Sequence, residues 1–223
     1  MNKENGGAPA PKKVKNNHIT LEYAVKTGIL AAIATVLMFL EFPLSFLAPP
    51  FYKLDFSDLA AMLGAFALGP VAGVIIELIK NLLHILFVGT STAYVGELAN
   101  FVTGCFLVVP AAIIYKRKKS RKTALIGMSV GTLSLCLAGA VLNGLVLIPF
   151  YSKLYNLPLD TIIGMGNAIF PAVRDVWSLV FLCVVPFNLV KGVADSVVTL
   201  LLYKHLSPIL HVKEPKNPEQ QGK

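Results

Sequence analysis

Charge is scarce in this chain. Only 14% of its 223 residues are Asp, Glu, Lys or Arg, against roughly 25% in an ordinary soluble domain, while 55% are hydrophobic and the mean hydropathy is +0.68. That shortage excludes a water-facing globular fold. Cysteine is scarce too. Cys105, Cys136 and Cys183 each lie in an apolar stretch with no CxxC spacing and no adjacent His, which predicts three small, buried, apolar side chains. The chain has no GxxxxGK[ST] segment to cradle ATP phosphates, no HExxH helix for zinc and no GxSxG elbow. No catalytic residue, metal or cofactor is therefore expected, and any ATP energy must come from another polypeptide. A net charge of +8 would suit nucleic acid on a soluble fold, but here the basic residues form short clusters between apolar runs. No nucleic-acid partner is expected; the partner implied is membrane lipid.

What is present is a series of long apolar runs. A bilayer core of about 30 Å takes roughly 20 apolar residues per helix, so the predicted fold class is an all-α integral membrane protein with six transmembrane helices. The spans read as Val25 to Phe42, Leu59 to Leu68, Val71 to Val88, Tyr94 to Tyr115, Ala124 to Tyr151 and Val176 to Tyr203. Gly69-Pro70 punctuates the second and third, and Pro186 is expected to kink the sixth. The connection from Ser152 to Asp175 is expected to form an ordered cap. Residues 1–20 and 207–223 are polar and predicted disordered, leaving 21–206 as one membrane domain. Residues 1–20 contain no short apolar core that a signal peptidase would recognise, so the first span is expected to be retained.

Basic residues orient the chain. Lys3, Lys12, Lys13, Lys15 and Lys26 lie in the amino-terminal segment up to the start of the first span, Lys116, Arg117, Lys118, Lys119, Arg121 and Lys122 follow the fourth, and Lys204, Lys213, Lys216 and Lys223 follow the sixth. With six spans all of these fall on one side, and only Lys53, Lys153 and Arg174 on the other. Both termini are therefore expected in the cytoplasm.

Polar groups inside spans are costly and mark functional positions by default. Glu77, Lys80 and His84 share one face of the third span, either as a self-neutralising pair that locks helix packing or as acid and base groups of an intramembrane enzyme. Lys191 lies about 20 Å along the sixth span from Lys204, and Asn143 about 31 Å along the fifth from Lys122. Glu41, Glu97, Asn100, Asn143, Asn188 and Lys191 thus share an outer depth, with Phe46, Phe51 and Tyr52 in the loop above. This predicts a polar-lined pocket with an aromatic lid, although each Asn amide would equally satisfy a neighbouring helix backbone. Amides offer both donors and acceptors, which suits a heteroaromatic ring with an alternating edge. Asp195, four residues after Lys191, is a candidate salt-bridge partner for it. On the first span Ala24, Gly28 and Ala32 recur every four residues beside the row Thr27, Ala31 and Thr35. Such ridges serve either partner docking or internal bundle packing.

The runs LEFPLSFLAPPFYKLDFSDLAAMLGAFALGPVAGVIIELIKNLLH, GELANF and PFNLVKG closely resemble the riboflavin-specific S component of energy-coupling factor (ECF) transporters. The resemblance covers most of residues 22–205. Related S components for thiamine, biotin or folate share the six-helix plan but not the run from EFPL to KLDFSDL. The resemblance implies capture of riboflavin, or its phosphate FMN, from outside, by a chain that joins a transmembrane T component and two cytoplasmic ATPases. It also implies ligand contacts from Leu40, Glu41 and Phe42, from Phe51, Tyr52 and Lys53, and from Asn143, Asn188 and Lys191. The family's Ala-rich first-helix face matches positions 24, 28 and 32. The alternatives are an S component for another vitamin and the enzyme built on Glu77, Lys80 and His84.

Overall fold

The computed structural model describes residues 20–210, and the side chains of 20–202. The expected disordered ends therefore fall almost wholly outside the described residues. Helix α1 (Leu21–Phe39) starts where the Thr20 side chain accepts a hydrogen bond from the Tyr23 amide at 3.2 Å. It stops at Phe39, earlier than the sequence pattern indicates, so Leu40, Glu41 and Phe42 enter the following loop. That loop is pinned by a two-residue antiparallel pair, β1 (Phe42–Pro43) with β2 (Lys53–Leu54), which sets Phe42 opposite Leu54 and Pro43 opposite Lys53.

Helix α2 (Ser57–Leu68) is separated from α3 (Pro70–Val88) by a single residue, Gly69, whose φ of +107° suits glycine and few other residues. Pro70 then opens α3, where its fixed φ favours a helix start and its missing N–H is harmless. Helix α4 (Val95–Arg117) and helix α5 (Arg121–Leu142) are joined at the basic turn, and a reciprocal Ser120 and Thr123 capping box begins α5. The two helices approach so closely that a Cβ at Gly127 would meet the Ala111 carbonyl oxygen at 2.6 Å.

A π-helical turn over Asn143–Leu147 continues α5 into α6 (Ile148–Leu154). A second π turn over Val180–Val184 joins α8 (Val176–Leu179) to α9 (Val185–Leu210). Each ends two residues before a proline, Pro149 and Pro186. Proline has no amide hydrogen and its ring collides with the carbonyl four residues back; the wider turn relieves that collision. The kink expected at Pro186 takes this form. Between α6 and α8 the chain forms the expected cap, built on the short helix α7 (Leu159–Asn167). Its Ile162, with Val173, packs on Leu54, Leu179 and Phe187.

Among the described residues, five helical stretches are long and apolar enough to cross a membrane: Leu21–Phe39, Pro70–Val88, Val95–Arg117, Arg121–Leu154 and Val176–Leu202. Helix α2 has 12 residues, about 18 Å, and does not cross a core of about 30 Å alone. One apolar cluster joins α1 to α5 through Leu30, Met62, Phe66, Ile76, Leu107 and Leu135, and a second lies under the cap. Large apolar side chains such as Leu82, Phe87, Leu133, Leu137 and Phe181 point outwards, the arrangement required where the solvent is hydrocarbon. Two of the three cysteines are buried as expected, whereas Cys105 on α4 is only half-buried.

Candidate functional site

The start of α4, the end of α5 and the π-turn end of α9 meet at one end of the bundle, and the loop between α1 and α2 covers them. Between them lies a cavity of about 240 Å³, a little below the range of about 300–1,000 Å³ usual for ligand pockets. Glu41, Phe51, Tyr52, Lys53, Glu97, Asn100, Asn143, Asn188 and Lys191 all line it. The depth reasoning from helix rise thus brings together residues from four separate segments. Three other expected residues, Leu40 and Phe42 from the resemblance and Phe46 from the aromatic lid, are not among the cavity's lining. They are 64%, 42% and 75% exposed, because α1 ends early and the β1 and β2 pairing turns this stretch outwards.

The wall has two chemistries. Four aromatic rings, tilted or edge-on to one another, make the apolar part: Phe51 against Tyr52 at a centroid separation of 4.6 Å, Phe51 against Tyr151 at 6.4 Å, and Tyr52 against Phe187 at 5.7 Å. Tyr52 donates its hydroxyl to Asn143 Oδ1 at 2.7 Å, and Asn143 Nδ2 donates to the Gly139 carbonyl at 2.8 Å. Asn188 on α9 packs beside Gly139, where a Cβ would collide with its amide nitrogen. Only glycine at 139 leaves room for that amide.

At the mouth, Lys53 Nζ meets Glu41 Oε1 at 2.5 Å, an ion pair whose members are 48% and 27% exposed. Glu97 accepts from Thr90 Oγ1 at 3.0 Å and Thr92 Oγ1 at 2.9 Å, so it also ties the turn before α4. His84 and Asn100 line the cavity, and His84 Nδ1 and Asn100 Oδ1 have no hydrogen-bond partner among the described residues. They are buried polar groups able to meet a ligand.

Lys191 is buried on the same wall, and its partners differ from the expected one. Lys191 Nζ lies 3.1 Å from Asp55 Oδ2 and 3.1 Å from Asp58 Oδ2, whereas Asp195 makes no ion pair or hydrogen bond among the described residues. Tertiary packing of α2 against α9 supplies two carboxylates in place of the local one. Asp55 also accepts from the Ser57 amide at 2.8 Å and from the Ser57 hydroxyl. Asp58 also pairs with Lys80, which lies 2.8 Å from Glu77 Oε2. The self-neutralising pair on α3 is present, as one of the two readings had it. Glu77 and Lys80 are fully buried and off the cavity wall, so they and His84 do not converge on an open site.

Such a fold and site define a class: a multi-pass membrane protein with a cavity of aromatic and polar lining at one end of a helix bundle. The chain belongs to the family of ECF transporter substrate-specific components, whose profile matches residues 22–203. It is a transporter component of the plasma membrane and not an enzyme. It is 38% identical to the riboflavin transporter RibU of Staphylococcus aureus (strain TCH60), over 83% of this chain and 90% of that one. It is 31% identical to the riboflavin transporter FmnP of Bacillus subtilis (strain 168), over 82% and 91%. A solved structure described as the S component of a bacterial ECF transporter superposes with a TM-score of 0.66 at 37% identity, covering 85% of this chain and 97% of that chain.

Proposed function

We propose that this chain is the riboflavin-binding subunit of an ECF-type importer, taking its ligand from outside the cell through the end of the bundle that carries the cavity. The observation that carries the reading is the pairing of two chemistries in one cavity. Rings from Phe51, Tyr52, Tyr151 and Phe187 suit a flat heteroaromatic face, and Asn143, Asn188 and Lys191 offer the donors and acceptors its edge needs. The mouth, with Lys53, Glu41 and Glu97, is polar enough for a hydroxylated side chain. Riboflavin is the transported ligand and no cofactor is involved. Relatives named riboflavin transporters at 38% and 31% identity support the same ligand.

In this reading the chain crosses the membrane six times. Helix α2 together with the loop packed above it makes one crossing, and both termini lie in the cytoplasm. The basic turn at 116–122 is at the far end of α4 from the cavity, so its positive charges favour the cytoplasmic side and leave the cavity facing out. The chain holds no nucleotide motif, so import needs a transmembrane T component and two ATPases. The docking face is the row Ala24, Gly28 and Ala32, which is exposed, with open space around Gly28, while Thr27, Ala31 and Thr35 are buried in the bundle. The test is titration of the detergent-purified protein with riboflavin, read by quenching of flavin fluorescence. Saturable one-to-one binding that thiamine and biotin do not compete is expected; no saturable quenching would overturn the reading. FMN in the same assay tells whether the mouth admits a phosphate.

A further inference from the structure

Lys191 does not face the cavity as a bare cation. Its ammonium is matched by Asp55 and Asp58, and Asp58 is shared with the fully buried Lys80. Two lysines meet two aspartates directly, with Glu77 on Lys80 and Asp195 one helical turn from Lys191. The cluster therefore carries no positive excess. A ligand group brought to Lys191 also meets Asp55, which lines the same cavity and is only 4% exposed. There a carboxylate, phosphate or ionised ring would lie beside a like charge in a medium of low dielectric, where repulsion is strong. A neutral carbonyl or ring nitrogen takes the ammonium's hydrogen without that repulsion.

We propose that Asp55 and Asp58 are specificity-determining residues: by matching and aiming the Lys191 ammonium they make the inner end of the cavity accept an uncharged donor and acceptor edge and reject an anionic one. Neither residue is needed to contact the ligand for this. The choice of probe rests on the riboflavin reading above. Oxidised riboflavin is neutral at mildly alkaline pH, whereas its two-electron-reduced form loses a ring proton near neutrality and is an anion of closely similar outline.

The experiment is an anaerobic redox titration of riboflavin bound to the purified protein at mildly alkaline pH. At least a tenfold preference for the oxidised form is expected, which for a two-electron couple sets the midpoint about 30 mV below that of free riboflavin. Asp55→Asn and Asp58→Asn should each reduce that preference by about tenfold, and Asp58→Glu should keep it. A wild-type midpoint at or above that of free flavin overturns the proposal without any variant. So does a low midpoint that both Asn variants leave unchanged, since exclusion of water alone would then account for it. Asp58→Asn removes a carboxylate shared by Lys80 and Lys191, leaving Lys80 with Glu77, and is at risk of misfolding. Asp55→Asn touches only Lys191 and Ser57 and decides the matter if Asp58→Asn is lost. Failure of the wild type to bind oxidised riboflavin is a different result, and refutes the ligand assignment.

Discussion

Replacing Lys191 by Met keeps most of the aliphatic stem and removes the ammonium, so it separates the residue's two roles. In binding, a hydrogen bond from a charged donor in a dry site is worth about 1.5–3 kcal/mol, and the affinity for riboflavin should fall roughly ten- to hundredfold. In folding, truncating one member of a buried pair costs about 3–5 kcal/mol because the other charge is left behind. Here the loss should sit at or below the bottom of that range, since Asp55 keeps the Ser57 amide and hydroxyl, and Asp58 keeps Lys80. The informative variant is the double one. Adding Asp55→Asn to Lys191→Met removes the stranded carboxylate and should recover part of the melting temperature while leaving binding weak. Flavin fluorescence titration and thermal unfolding in the same detergent read the two quantities. Binding within about twofold of wild type in Lys191→Met, or binding restored with stability in the double variant, would refute the assignment of Lys191 as a ligand contact.

Asn188→Ala should weaken riboflavin binding by about 1–3 kcal/mol, the cost of leaving a buried polar edge unpaired; titration with unchanged affinity would remove Asn188 from the site. Gly139→Ala drives a Cβ into the Asn188 amide and should lower affinity through Asn188 while an Asn188→Ala background masks most of its effect, which a double-mutant cycle measures. A cysteine at Ser120 should stay unreactive towards an impermeant thiol reagent in intact cells, and labelling there would invert the topology. Ala32→Trp places a large ring on the exposed row of α1 and should leave riboflavin binding intact while abolishing copurification with the T component and uptake. Normal assembly and transport would show that the partner surface lies elsewhere.

Much of the site was legible because a helix is a ruler. Asn143 and Lys191 could be placed in depth by counting from charge clusters at the opposite helix ends, and the same cavity holds both. Loops have no such period, so the outward turn of Leu40, Phe42 and Phe46 had no signal in the residues themselves. The partner of Lys191 was hidden for another reason. Asp195 satisfies the local four-residue rule, but rules for one helix are silent about a carboxylate 136 residues away, as Asp55 is. Only the packing of α2 on α9 makes that pair. Asp55 and Asp58 did carry one usable signal, two acidic residues three apart at the edge of an apolar run, where charge is costly unless matched. The ridge on α1 was ambiguous by spacing, because both of its rows are small; burial of Thr27, Ala31 and Thr35 assigns one row to the bundle and leaves the other exposed.

Placing lysines and carboxylates inside a membrane bundle is expensive, and replacing them by well-packed apolar residues is often neutral or stabilising elsewhere. Their location here supplies a reason to keep them. The ion pairs run from the loop residue Asp55 through α2 and α9 to α3, so they tie the cover of the cavity to three of the helices beneath it. Helix α1 is absent from these pairs; it meets the bundle through small and apolar side chains at Thr27, Leu30, Ala31, Ala34, Thr35 and Met38. A change in how Lys191 is held is therefore transmitted to the loop that carries Phe51 and Tyr52. The row Ala24, Gly28 and Ala32 on α1 stays exposed outside this network. With that row as the proposed docking face, variants in the ion-pair network should leave assembly measurable, and variants on the row should leave riboflavin binding measurable.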